Sequence, residues 1–170
     1  MTVAVRKIGG GENASCAVRR LLFDLAKIAL SLDVAPSDIK KDSRGKPYDE
    51  KGRFHFSLSH SKELVAAVVS ELPCGVDVQK IGAVSDSVLK KLGVEAPFPS
   101  DERIRTALWA LSESYVKMTG EGLSAISRVP HFQSGFEITN EFTNVLSDTD
   151  ELFQIKETDG HVLAVCIRSA

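Results

Sequence analysis

The most constraining stretch of this 170-residue chain is Gly75-Val76-Asp77-Val78-Gln79. Asp77 stands alone between two valines. A carboxylate inside a β-branched, apolar run costs several kcal/mol unless a cation or hydrogen bonds compensate it. A fold that buries this stretch must bring such partners to Asp77, which makes it a candidate metal ligand. Upstream lies Phe54-His55-Phe56-Ser57-Leu58-Ser59-His60-Ser61, followed by the apolar run Leu64–Val69. Downstream, residues 109–123 carry Glu113 and Lys117 on a helical pattern.

The length suits one core, or two small lobes sharing one. Hydrophobic residues make up 43% of the chain, an ordinary globular share that argues against disorder. The net charge of −2 argues against a general nucleic-acid binder. Basic residues are nonetheless dense between Lys40 and Arg53, a local cluster that can meet a phosphate-bearing ligand. Cys16, Cys74 and Cys166 are odd in number and widely spaced, so they make neither a disulfide framework nor a zinc pattern. The N-terminus has no apolar core of signal-peptide length, and no run approaches the ~20 residues that span a bilayer. These features give the expectation of a cytoplasmic protein that does not enter the membrane.

Thr2–Ile8 alternates as a strand and Gly9-Gly10-Gly11 breaks it. Asn13 or Ser15 can cap a helix over Cys16–Leu32, whose apolar stripe is Val18, Leu21, Leu22, Leu25, Ile28, Ala29 and Leu32. Asp42–Gly52 reads as a loop. Strands are expected at Phe54–Ser59 and Val76–Ile81, a strand or a short helix turning into one at Leu64–Val69, and helices at Ser85–Leu92 and Asp101–Thr119. Asp101 is a natural N-cap, and Gly120 and Gly122 end the second helix. Beyond Ser127, strand-like runs fall at Phe136–Ile138, Leu152–Ile155 and Val162–Ile167, with Asp159-Gly160 as a hairpin turn.

At about 100° per residue, Ile104, Leu108, Leu111, Tyr115 and Met118 form the core stripe of the helix Asp101–Thr119. Glu113 and Lys117 fall on its far side, one turn apart. Alone they read as a solvated ion pair worth about 0.3–0.5 kcal/mol. Trp109, one turn before Glu113 on the same side, is out of place on a wet face. Two carboxylates from separate elements, Asp77 and Glu113, without a Cys or His ligand set, suit a hard cation such as Mg2+. That ion takes one or two protein carboxylates and fills its shell with water and phosphate oxygens. His60 beside Ser59 suits a phosphate contact, and Lys46, between Gly45 and Pro47, is a cation on a restrained loop. Together these residues describe a Mg2+–diphosphate site.

At these residues the chain resembles the 4′-phosphopantetheinyl transferases, the larger Sfp-like type more than the small holo-acyl-carrier-protein synthase. Gly45-Lys46-Pro47 is similar to the family's GKP element. Phe56-Ser57-Leu58-Ser59-His60-Ser61 with Gly75-Val76-Asp77-Val78 is similar to its F-x-L-S-H-S … G-V/I-D core. Trp109 through Lys117, with Gly120-Glu121-Gly122-Leu123, is similar to its W-x-x-K-E-x-x-x-K-x-x-G-x-G-L helix. The three occur in order, and the resemblance runs from about residue 13 to the C-terminus.

The resemblance implies Mg2+-dependent transfer of the phosphopantetheine arm of coenzyme A to a serine of an apo carrier protein, with release of 3′,5′-ADP. On that basis Asp77 and Glu113 hold the metal, and Lys117 contacts phosphate and stabilises the leaving group. Lys46, Pro47, Ser59 and His60 bind the nucleotide phosphates. The serine proton goes either to Glu113 or to a water on the metal. Three departures stand out: Gln79 where the family has glutamate, Ser112 where it has lysine, and a Met1–Asn13 segment that offers only Arg6 and Lys7 as basic residues. They leave an alternative, a weakened member that binds coenzyme A or carrier protein without efficient turnover. The implied fold is α+β: a pseudo-twofold pair of lobes, each a helix on a small, mainly antiparallel sheet. Residues 1–74 make the N-terminal lobe and 75–170 the C-terminal lobe, with the active site in the cleft between them, and a monomer is expected.

Overall fold

The structure, a computed structural model, describes residues 1–169; Ala170 and the side chain of Leu123, the end of the Gly-Glu-Gly-Leu motif, lie outside the described residues. The fold is α+β, with antiparallel strands throughout. Strand β1 (Thr2–Lys7) leads into helix α1 (Ala14–Leu30). Asn13 caps α1, its side chain accepting from the amides of Ser15 and Cys16. Val18, Leu21, Leu22 and Leu25 are buried as their spacing predicts, whereas Ile28, at the edge of the stripe, is 82% exposed.

The segment expected to be a loop after Asp42 is partly structured. Strands β2 (Ile39–Lys41) and β3 (Pro47–Asp49) pair as a short hairpin. The Asp42 carboxylate accepts from the amides of Arg44 and Lys46 and holds the turn closed. Strands β4 (His55–Ser61) and β5 (Leu64–Ser70) follow, and with β1 they form a sheet in the order β1-β5-β4. Strand β6 (Cys74–Lys80) begins the second sheet, in the order β6-β9-β8-β7, with β7 (Thr143–Val145), β8 (Leu152–Thr158) and β9 (His161–Ile167). Helices α2 (Asp86–Lys91) and α3 (Glu102–Thr119) lie between β6 and β7. Residues 136–138 are not a strand; Phe136 packs instead beside α3. Asp159 and Gly160, both at positive φ, make the β8–β9 turn.

Strand period two explains the layering. On β5, Val65, Ala67 and Val69 face α1, while Leu64, Ala66 and Val68 face the second sheet. On β9, Leu163 and Val165 face the first sheet, while Val162, Ala164 and Cys166 pack under α3. The result is four layers: α1, sheet, sheet, α3. The two sheets also meet along β4 and β6, where serine hydroxyls stand in for backbone acceptors. The amides of Val78 and Lys80 donate to Ser59 Oγ and Ser61 Oγ.

Candidate active site

The same alternation positions the site. Cys74, Val76 and Val78 of β6 point between the sheets, so Gly75, Asp77 and Gln79 point to the other face, toward α3. Glycine at 75 is a requirement of packing: a Cβ there would lie 1.9 Å from the Ser114 carbonyl oxygen. That close approach carries Lys117 of α3 onto Asp77.

Asp77 is buried, and its charge is compensated three ways. Lys117 Nζ donates to Asp77 Oδ1 at 2.6 Å and Ser59 Oγ donates to the same oxygen at 2.8 Å. Gln79 Nε2 donates to Asp77 Oδ2 at 2.9 Å. Lys117 Nζ also donates to Ser59 Oγ at 2.9 Å, closing a ring of three groups. The ion pair that spacing suggested, Glu113 with Lys117, does not form; the lysine reaches across to Asp77. The face carrying Glu113 and Lys117 is half-buried, and Trp109 packs beside it with Leu89, Leu108 and Val116. The core stripe is as expected, but α3 is buried nearly all round, since Ser112 and Ser114 also lie inside and donate to backbone carbonyls.

Glu113 has no hydrogen-bond partner among the described residues. Burial raises its proton affinity, the neighbouring charge of Asp77 adds to the rise, and Lys117 opposes it. Two carboxylates whose fields add, one of them open to a cavity, form a donor set that fits a hard divalent cation completing its shell elsewhere. Among the described residues no three His, Cys, Asp or Glu side chains cluster, so a larger protein ligand set is not on offer. Gln79 turns its amide N–H toward Asp77 rather than adding a third carboxylate.

A cavity of about 300 Å³ opens over this ring. Gly45, Lys46 and Pro47 line it from one side, Phe56, Ser57 and Leu58 from β4, and Glu113, Val116, Lys117, Gly120 and Gly122 from α3 and its end. Lys46 donates to the Met118 carbonyl at 2.7 Å, capping α3, and burial lowers its proton affinity. Gly120, at φ 72, ends α3 in the left-handed conformation, and a Cβ there would press on the Lys46 side chain at 3.0 Å. Ser59, expected at a phosphate, faces Asp77 instead. His60, the next residue of β4, is exposed and does not line this cavity. Arg44, outside the expected site residues, does line it; its signal in the sequence is the basic run from Lys40 to Arg53. A larger cavity of about 540 Å³ lies beside Ile104, Leu108 and Phe136, but neither Glu113 nor Lys117 lines it.

Sequence comparison finds similar proteins that are named 4′-phosphopantetheinyl transferases. The chain is 28% identical over 92 residues to 4′-phosphopantetheinyl transferase psf-1 of Bacillus pumilus, covering 49% of this chain and 40% of the relative. It is 27% identical over 124 residues to 4′-phosphopantetheinyl transferase gsp of Aneurinibacillus migulanus, 65% of this chain and 52% of the relative. It is 28% identical over 165 residues to 4′-phosphopantetheinyl transferase Sfp of Bacillus subtilis (strain 168), 87% of this chain and 73% of the relative. The chain therefore spans about half the length of the first two. No family model matches it. These relatives bear out the resemblance to the Sfp-like 4′-phosphopantetheinyl transferases drawn from the three motifs.

Proposed function

We propose that this chain transfers the 4′-phosphopantetheine arm of coenzyme A to a serine of an apo carrier protein. The observation that carries the reading is that residues of all three motifs line one cavity, above a buried acid. In the transfer, the carrier serine oxygen bonds to the pantetheine-side phosphorus as the bridging P–O bond breaks. The bridge oxygen leaves with 3′,5′-ADP, and the serine proton passes to a base.

Each side chain takes a role that its surroundings suit. Asp77 and Glu113 would hold Mg2+, whose charge neutralises the diphosphate. Glu113 lines the cavity with no hydrogen-bond partner among the described residues, so within this proposal it is also a candidate to receive the serine proton. Lys117 stabilises charge that builds on the leaving group. Lys46 and Pro47, joined by Arg44, bind the nucleotide phosphates from the cavity wall, with His60 meeting them from outside the cavity, while Ser59 and Gln79 orient Asp77. The same proposal includes a pseudo-twofold relation between the lobes 1–74 and 75–170, supported by α1 on the first sheet and α3 on the second. It also includes a cytoplasmic monomer that binds no nucleic acid. No helix among the described residues is long and apolar enough to cross a membrane.

A second reading, binding without efficient turnover, is favoured by Gln79. It leaves the acid set one charge short and holds Asp77 by an amide. The test is mass spectrometry of an apo carrier protein after incubation with the protein, Mg2+ and coenzyme A. A gain of one phosphopantetheine arm is expected. Carrier or coenzyme A binding with no gain across several carriers would leave only the second reading standing.

A further inference from the structure

The ammonium of Lys117 occupies the place where a cation is wanted. It lies 2.6 Å from Asp77 Oδ1 and 2.9 Å from Ser59 Oγ, beside a carboxylate that is 2% exposed. Glu113, one helical turn earlier on α3, has no such partner among the described residues. Lys117 is also the member of this ring that lines the cavity, and its side chain is 29% exposed, so it has space to move into. Asp77 and Ser59 are buried and have no such freedom. An ammonium and a divalent ion repel, so both cannot sit against one buried carboxylate without a large loss to each.

We propose that Lys117 is the resting occupant of the cation site, that a divalent metal displaces it, and that the displacement releases its ammonium into the cavity to meet the substrate's phosphates. The inference rests on the two-carboxylate metal reading above. It makes Lys117 a residue with two successive partners: Asp77 in the metal-free protein, and an anionic ligand in the loaded one. Metal and phosphate ligand then reinforce each other's binding, because the ion pair broken by one is already broken for the other.

The test uses the intact chain. Surface acetylation with an N-hydroxysuccinimidyl acetate, followed by peptide mass spectrometry, reads the reactivity of Lys117 against that of exposed Lys7. Adding Mg2+ should raise the Lys117 rate at least threefold, while K+ at equal ionic strength should not. In parallel, calorimetry with Mg2+ and no coenzyme A should show the Lys117→Met variant binding at least tenfold more tightly than the unmodified protein. An unchanged labelling rate in protein that calorimetry shows to be metal-loaded overturns the displacement, even if the variant does not fold. Equal or weaker binding by a folded variant overturns it too. Absence of any Mg2+ binding, with or without coenzyme A, removes the metal reading itself and this inference with it.

Discussion

Gly75→Ala gives a direct measure of how the site is held together. The added Cβ would sit 1.9 Å from the Ser114 carbonyl oxygen, 2.7 Å from the Met118 amide nitrogen and 2.9 Å from the Ser114 carbonyl carbon. All three obstacles are backbone, so no side chain can swing aside. The nearest is about 1.5 Å short of ordinary contact, so α3 must lift from β6 by a distance of that order. Overpacking of a core costs about 1–3 kcal/mol when side chains yield; against a helix backbone about 3 kcal/mol or more is expected. With a urea m-value of about 2 kcal/mol/M, the unfolding midpoint should fall by roughly 1.5 M at unchanged slope. Function should fall further than stability. Lys117 rides on α3 and Asp77 on β6, and a displacement of about 1 Å in such a constellation costs roughly 100-fold. Gly10→Ala is the control: its Cβ meets nothing within 4 Å, and its midpoint should hardly move. A Gly75→Ala midpoint within experimental error of the original would refute the claim that this glycine sets the distance between α3 and β6.

Three further outcomes follow from the site. Glu113→Gln should abolish transfer and raise the thermal midpoint of the metal-free protein at neutral pH. Its folded-state proton affinity is raised, so stability is present at low pH and lost as pH rises and the carboxylate ionises beside Asp77; retained transfer would remove its assigned role. Gln79→Glu should lower the metal-free midpoint by placing a carboxylate beside Asp77, and enlarge the stabilisation given by Mg2+. Identical Mg2+ responses would exclude position 79 from the metal's surroundings. Arg53 holds Asp38 and Asp49, whose carboxyls lie below their usual range chiefly because of side-chain hydrogen bonds, from Lys51 to Asp38 and from Arg53 to Asp49. That stability is present above the ordinary carboxylate range and lost as pH falls through the depressed values. Arg53→Met should flatten the acid limb of the stability curve, and an unaltered limb would count against this network.

The six longer strands, the two long helices and the three motifs were legible because each is a local matter. Period two and period 3.6 mark the buried faces, Asn13 and Asp101 cap, and Gly120 stops. The β2–β3 hairpin and β7 were not, because strands of three residues have too few alternations to register. Residues 136–138 have a strand's composition, but Phe136 finds its burial against α3 instead.

The amino-acid order alone determined that Asp77 needed compensation and that Glu113 and Lys117 shared a helix face. Only the tertiary structure decided who compensates whom. The partner of Lys117 is 40 residues away, brought within 2.6 Å because Gly75 lets a helix lie on a strand. Ser59 likewise became a support for Asp77, and a link to the Val78 amide, through β4 lying beside β6. Helical spacing specifies neighbours on one element, whereas the strength of an ionic contact depends on burial and on distance between elements, which no local pattern encodes.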